Sequence, residues 1–561
     1  MMASTRFGSR ELDRTAIVLL IFVVSMLPYT SDFIFFHPDE RHYVQGALNM
    51  LDTGEFLTPK TGEGEDRLTK PPITYWMSAG GLKLLGSGVP GMRAAWLVMA
   101  IAIVLLTFRL ALIVTKNGDT AFLATALLVS NFVFIRATFN AIPDLPLCLF
   151  MLIAMIGFTR LLFSQSPRPS DAWEAYGGIA LGILTKGLLP LVLLAYALLS
   201  ATIFKPFQEN ARRLIAPVPM IVSAVVAASW FVYQFFRAPD ILVGQFVGDQ
   251  ITQKIGFSFS TVTENALFSF GALIVPLTGW LFVIATASAS SRRRPGLSQT
   301  GLASWFLAGW ICLNILIFLP GSSYYHRYMI PSVPAFCVLV AIALTSLPAD
   351  TVRTHLRRLF KLGLAGAALV MAALAVIYGL ILSPWAAALF IVAILIASVL
   401  FLKAARSDET GIIAGALAAL PLVIFQSCTP LAYDVVMPDL GKVIAESAVI
   451  RESQPDAVVF VGEPRLAVMA QVQSGHVKPF KQVASLSELA QVTPKTAPRA
   501  IVTLNEDTAK QLAESGFDIT TLHGGWRKID AGLLLQAIVS RKVGAYRQQY
   551  GDRAYLASAP N

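Results

Sequence analysis

Apolar stretches of about twenty residues recur along this chain with short polar breaks between them. Each is long enough, as an α-helix, to cross the ~30 Å hydrocarbon core of a bilayer. Only 14% of the 561 residues are charged, and 55% are of the apolar types AVILMFWYC. Ordinary soluble domains carry about 25% charged residues, so a soluble single-domain enzyme is excluded, as is a disordered chain. The net charge of +10 is gathered in clusters between apolar stretches, the distribution of the positive-inside rule. That placement argues against nucleic acid as a partner. Cys148, Cys312, Cys337 and Cys428 have no CxxC spacing, so neither a disulfide framework nor a zinc knuckle is signalled. The basic start, residues 1–14, runs into an apolar stretch without a clear small-residue cleavage site and reads as a retained first helix.

Hydropathy and charge together predict a polytopic α-helical membrane protein of about thirteen spans. They lie near 15–36, 92–115, 120–136, 141–162, 173–185, 188–204, 214–236, 265–288, 302–320, 328–347, 362–383, 385–403 and 411–430. Arg292, Arg293 and Arg294 are the strongest cytoplasmic signal, and every large basic cluster falls on that side. Residues 1–434 form the membrane unit. Within it, 37–90 is an extracytoplasmic segment with amphipathic helices at 43–51 and 73–85. Residues 435–561 have soluble composition and read as an outer α/β domain. Its strands are expected at 457–461, 500–504, 518–522 and 533–539, with helices at 442–454, 465–474, 485–492 and 506–515.

Polar residues collect at the outer ends of the spans, where ionisable groups default to functional candidates. Asp39, Glu40, Arg41 and His42 follow the first span and Lys70 precedes Pro71-Pro72. Arg136 and Asp144 lie between the third and fourth spans, Lys186 follows the fifth, Lys254 lies in the 237–264 loop, and Tyr325, His326 and Arg327 precede the tenth. Cations at the membrane surface suit a phosphate headgroup. Asp39 could act as a general base towards an acceptor, and Asp144 opens a helix after Pro143, where the field is positive. The combination describes transfer of a group from a phosphate-linked lipid. No glycine-rich nucleotide fingerprint and no paired-histidine metal spacing is present.

Asp39-Glu40, followed by Lys70-Pro71-Pro72-Ile73-Thr74-Tyr75-Trp76, resembles the DE…KPPxxYW pattern of the GT-C lipid-linked glycosyltransferases. The similarity is to the aminoarabinose transferase branch, related to protein O-mannosyltransferases. Asp144 in Ile-Pro-Asp-Leu-Pro, Leu184-Thr185-Lys186-Gly187 and Tyr328 through Pro334 fit further motifs of that branch. The resemblance implies glycosyl transfer from a polyprenyl-phosphate sugar to a lipid A, glycolipid or other envelope glycan acceptor. The setting is the periplasmic side of a bacterial inner membrane. It implies Asp39 as catalytic carboxylate, Asp144 as its partner, Lys70 on the carrier phosphate and Lys254 as a second phosphate-binding cation. Substrate contacts by Glu40, Arg41, His42, Lys186, Tyr325, His326 and Arg327 complete the expected site. Thr69 and Asp249 replace two residues tied to a divalent metal in that branch, and His42 replaces an arginine. No metal site and no other cofactor is therefore assigned. Alternatives from other classes are a flippase for lipid-linked sugars, which would show inverted repeats and charges on both faces, a non-enzymatic assembly protein, and, among enzymes, a protein O-glycosyltransferase.

Overall fold

The computed structural model describes residues 9–62, 64–252, 258–291, 301–322, 324–381, 383–492, 498–526 and 528–559. The chain enters through α1 (Ser9–Ser31), then forms two short helices, α2 (Glu40–Thr53) and α3 (Ile73–Leu85). The next helices are α4 (Val89–Thr115), α5 (Gly118–Val129), α6 (Phe132–Thr138), α7 (Asp144–Phe163), α8 (Pro169–Lys186) and α9 (Leu191–Ile203). Further long helices follow, including Ala349–Ile381, Pro384–Arg406 and Thr410–Ser427.

All thirteen expected apolar stretches are helical, but the number able to cross a bilayer is lower. Among the described residues ten helices are long and apolar enough, eleven if the bent pair α5–α6 is one span. Asn131 breaks that pair. Its side chain accepts hydrogen bonds from the Val133 and Phe134 amides, starting a new helix at 67° to the last. α9 has 13 residues and reaches about 20 Å at 1.5 Å per residue. α8 carries Asp171, Glu174 and Lys186. The sequence profile counted these three as ordinary spans because it registers apolar content before helix length or direction. α1 also ends earlier than expected. The Arg93 guanidinium donates to the Tyr29 and Asp32 carbonyls at 2.7 and 3.3 Å, satisfying groups that a helix end leaves open. Arg292, Arg293 and Arg294, the main orientation signal, lie outside the described residues.

α7 and α8 run antiparallel with their backbones touching. A Cβ on Gly157 would lie 2.3 Å from the Ala175 nitrogen, and one on Gly178 would lie 2.6 Å from the Ala154 nitrogen. Small residues permit this approach, as in other membrane helix pairs. Because α7 starts at Asp144 and α8 ends at Lys186, the pair brings those two residues to the same end of the bundle.

The C-terminal unit holds one five-stranded sheet in the order β2-β1-β3-β5-β4. Its strands are β1 (Val458–Val461), β2 (Lys481–Val483), β3 (Ala500–Thr503), β4 (Asp518–His523) and β5 (Arg553–Ser558). β2, β1 and β3 are parallel, whereas β5 is antiparallel to both β3 and β4. Every residue of β1 and β3 is buried, as central strands covered on both faces require. The apolar run at 533–539, expected as a strand, lies in the helix Ala531–Val539. The Asp530 carboxylate caps it through the Leu533 amide, and its Leu, Ala and Gln residues favour helix. This unit rests on the first part of the chain: Ser87 Oγ donates to the Gly475 carbonyl at 2.7 Å, and Arg465 donates to the Phe36 carbonyl at 3.1 Å.

Candidate active site

Two adjacent carboxylates at the α1–α2 junction have opposite environments. Glu40 is completely buried and faces Arg93, also completely buried, across bonds of 3.0 and 2.8 Å. Its Oε1 also accepts the Ala141 amide at 2.7 Å and its Oε2 the His37 amide at 2.8 Å. Glu40 therefore fastens α1, α2, α4 and the turn before α7 together, and it is closed to a ligand. Where a substrate contact was expected, Glu40 is engaged by Arg93 and two backbone amides. Arg93, which the sequence reading left without a role inside the second span, is the partner that makes this carboxylate structural.

Asp39 is the open member, with 46% of its side chain exposed. Its Oδ2 accepts from Arg327 at 3.0 Å, while no hydrogen bond to its Oδ1 occurs among the described residues. Arg327 also contacts His37 Nε2 at 2.8 Å and approaches Asp144 Oδ2 at 3.5 Å. The other Asp144 oxygen takes Lys186 Nζ at 2.6 Å, and Lys186 stands over the Tyr328 ring at 4.8 Å. Asp39, Arg327, Asp144 and Lys186 thus form one chain of alternating charge from four distant segments. Asp144 is only 3% exposed and has both oxygens against cations. Its geometry suits holding Arg327 and Lys186 in place rather than touching an acceptor.

The quartet is neutral as a whole, so the cations around it determine the field. Arg136, Arg327, His326 and Tyr325 line a cavity of about 460 Å³ together with His37 and Asn140. A neighbouring cavity of about 540 Å³ shares His37, Arg136 and Asn140 and continues along Phe35, Phe36, Phe139 and Phe425. Lys70 is buried just before α3, and Arg41 lies in the first turn of α2 beside His42, its Nε 3.4 Å from the ring. Burial, then Arg67 and Arg41, push the His42 pKa down to about 4. His42 is therefore a neutral imidazole near pH 7. Burial and Arg327 also lower the pKa of His37. Lys254 lies outside the described residues.

The sequence reading gave no role to several buried polar residues of α2, α3 and the segment between them. Tyr43 and Tyr75 are buried with ring centroids 5.2 Å apart, and burial raises both phenol pKa values. Among the described residues, Arg67 Nε, Thr69 Oγ1, Thr74 Oγ1, the Tyr75 hydroxyl and Ser78 Oγ are buried without a hydrogen-bond partner. Buried polar atoms in this state each cost on the order of 1–3 kcal/mol unless a partner is supplied. These residues lie within one twelve-residue stretch (67–78) that also contains Lys70, but their burial is not visible in the sequence. Among the described residues no group of three His, Cys, Asp or Glu side chains could hold a metal. Glu40 is paired with Arg93, and Asp144 with Lys186.

With this geometry in place, comparison with known proteins gives consistent results. Residues 15–243 match the family model for dolichyl-phosphate-mannose-protein mannosyltransferase. An uncharacterized protein of Aquifex aeolicus is 28% identical over 317 residues, covering 55% of this chain and 59% of its own length. The undecaprenyl phosphate-alpha-4-amino-4-deoxy-L-arabinose arabinosyl transferase of Pectobacterium carotovorum is 27% identical over 392 residues, 67% of each chain. The sequence matches thus span roughly three fifths to two thirds of these relatives. The crystal structure of ArnT from Cupriavidus metallidurans bound to undecaprenyl phosphate superimposes with a TM-score of 0.69 at 17% identity, covering 98% of this chain and 99% of that one. The chain thus shares its overall fold with that structure, and its first part is similar in sequence to the mannosyltransferase family model and to the arabinosyl transferases.

Proposed function

We propose that the chain transfers a sugar from a polyprenyl-phosphate carrier to an acceptor at the membrane surface: lipid A, another glycolipid or an envelope glycan. The observation that carries this reading is the neutral Asp39–Arg327–Asp144–Lys186 chain at a cavity to which Arg136 adds positive charge. Such a field favours a phosphate leaving group, and the partnerless polar atoms at 67–78 favour a ligand rich in hydroxyls. The aromatic cavity next to the polar one suits a lipid chain whose head reaches His37 and Arg136. The names of the arabinosyl transferase relatives and of the undecaprenyl phosphate complex agree with a polyprenyl donor.

In this mechanism the C1–O bond to phosphate breaks, and polyprenyl phosphate departs with the electron pair towards Lys70 and Lys186. The acceptor oxygen bonds to C1. Where the acceptor is a hydroxyl, its proton passes to Asp39 Oδ1, the open carboxylate oxygen. Asp144 keeps Arg327 and Lys186 oriented, and Glu40 keeps Asp39 at the junction. Residues 1–434 act as the catalytic membrane unit and 435–561 as a domain covering it. Both the site and this domain face the periplasm, in the inner membrane of a bacterium. The test is turnover of a labelled polyprenyl-phosphate sugar with membrane acceptor by the purified protein. Asp39→Asn should abolish product while leaving the protein folded, and full turnover by that variant would end the reading. Movement of the labelled lipid across the bilayer without product would favour a flippase instead.

A further inference from the structure

The C-terminal unit has an apolar face that its own sheet does not cover. In the helix Ala531–Val539, Leu534, Ala537 and Ile538 turn inward, while Leu535 and Val539, four residues apart on one side, are 62% and 70% exposed. Ile529, just before the helix, is also exposed. The inward side packs with Val435, Trp526 and Val543 against Ile377, Leu380 and Ile381, the last turns of the span Ala349–Ile381. The next span opens at Pro384 with Trp385 82% exposed, where an aromatic belt residue stands at a headgroup boundary. The Ala531–Val539 helix therefore sits at the level where three spans, Ala349–Ile381, Pro384–Arg406 and Thr410–Val435, have their ends. Between residues 526 and 553 there are six basic and two acidic residues.

We propose that this helix is an interfacial anchor, with Leu535, Val539 and Ile529 set into the leaflet on the Asp39 side. Lys528, Arg541 and Lys542 lie against anionic phospholipid headgroups. The occupant is the bilayer itself, because the face is continuous with span ends already in the membrane and its flanking charge is complementary to anionic lipid. Anchoring at this point would hold the sheet over the α1–α2 junction, to which Arg465 ties it, while Ser87 ties it to the turn before α4. This inference does not depend on the reaction.

The experiment uses the full chain in nanodiscs of phosphatidylglycerol and phosphatidylcholine, in a Cys312→Ser/Cys428→Ser background, with an environment-sensitive fluorophore on Leu535→Cys. Brominated lipids should quench this label as strongly as one on Leu395→Cys, exposed in the span Pro384–Arg406. A label on Glu514→Cys, exposed elsewhere on the C-terminal unit, should be unaffected. Equal quenching at 535 and 514 would overturn the proposal. Weak quenching at 535 together with a doubled particle mass would also overturn it, assigning the face to a second copy of the chain. Should Leu535→Cys fold poorly, faster amide exchange across 531–539 in detergent than in anionic nanodiscs supports the anchor, and equal exchange refutes it.

Discussion

The two ends of the membrane unit use the same charged residue types in different ways. At the end remote from Asp39, most ion pairs stand near water: Arg353 with Asp350 at 2.5 Å, Arg357 with Asp408 at 3.2 Å, and Arg14 with Glu409 and Asp119, the buried Asp171 beside Arg160 being the exception. At the Asp39 end, charges are shared along a connected and largely buried path, and Glu40–Arg93 is wholly removed from water. Exposed pairs contribute about 0–1 kcal/mol, whereas removing one partner of a buried pair costs about 3–5 kcal/mol. The difference is one of burial and sharing rather than composition, and it separates charges that orient a membrane protein from charges that build a site.

The largest effect should come from breaking the buried lock. Glu40→Gln leaves Arg93 charged and poorly paired, and should lower stability by about 3–5 kcal/mol, read as loss of folded protein by thermal unfolding in detergent. Next, Asp144→Asn should lower turnover by on the order of 10²–10³-fold through misplaced Arg327 and Lys186 with little change in melting temperature. An equal loss of melting temperature would make it structural instead.

A third effect concerns pH. His42 has its pKa lowered from 6.5 to about 4, so the unfolded chain binds more protons between those values and stability falls as pH drops from about 6.5 to about 4. His42→Gln should flatten that part of the stability profile. The smallest effect is expected at the remote end, where Arg353→Ala should change stability by less than about 1 kcal/mol. A larger change would show that the two ends are less different than their burial implies.

Much of this was legible in the sequence because membranes impose simple rules. The helical stretches follow from apolar length, α3 begins and ends where its amphipathic spacing placed it, and Asp39, Asp144, Lys186 and Arg327 were all singled out before their contacts were known. What escaped notice depends on third parties. Glu40 reads like Asp39 until Arg93 is found 53 residues away. The 533–539 run reads as a strand until the end of a distant span takes its inner face. Arg67, Tyr43 and Tyr75 carry no local signal, because their meeting is a product of the α2–α3 turn.

The close contact of α7 with α8 has a mechanical consequence. With Gly157 and Gly178 leaving no room for slippage, the Asp144–Lys186 spacing at one tip and the Arg160–Asp171 pair at the other belong to a single stiff hairpin. A phosphate that draws Lys186 towards itself cannot do so by sliding one rod along its neighbour. It must bend the lysine side chain or tilt the whole hairpin, so any movement during turnover will be felt about 30 Å away on the far side of the membrane.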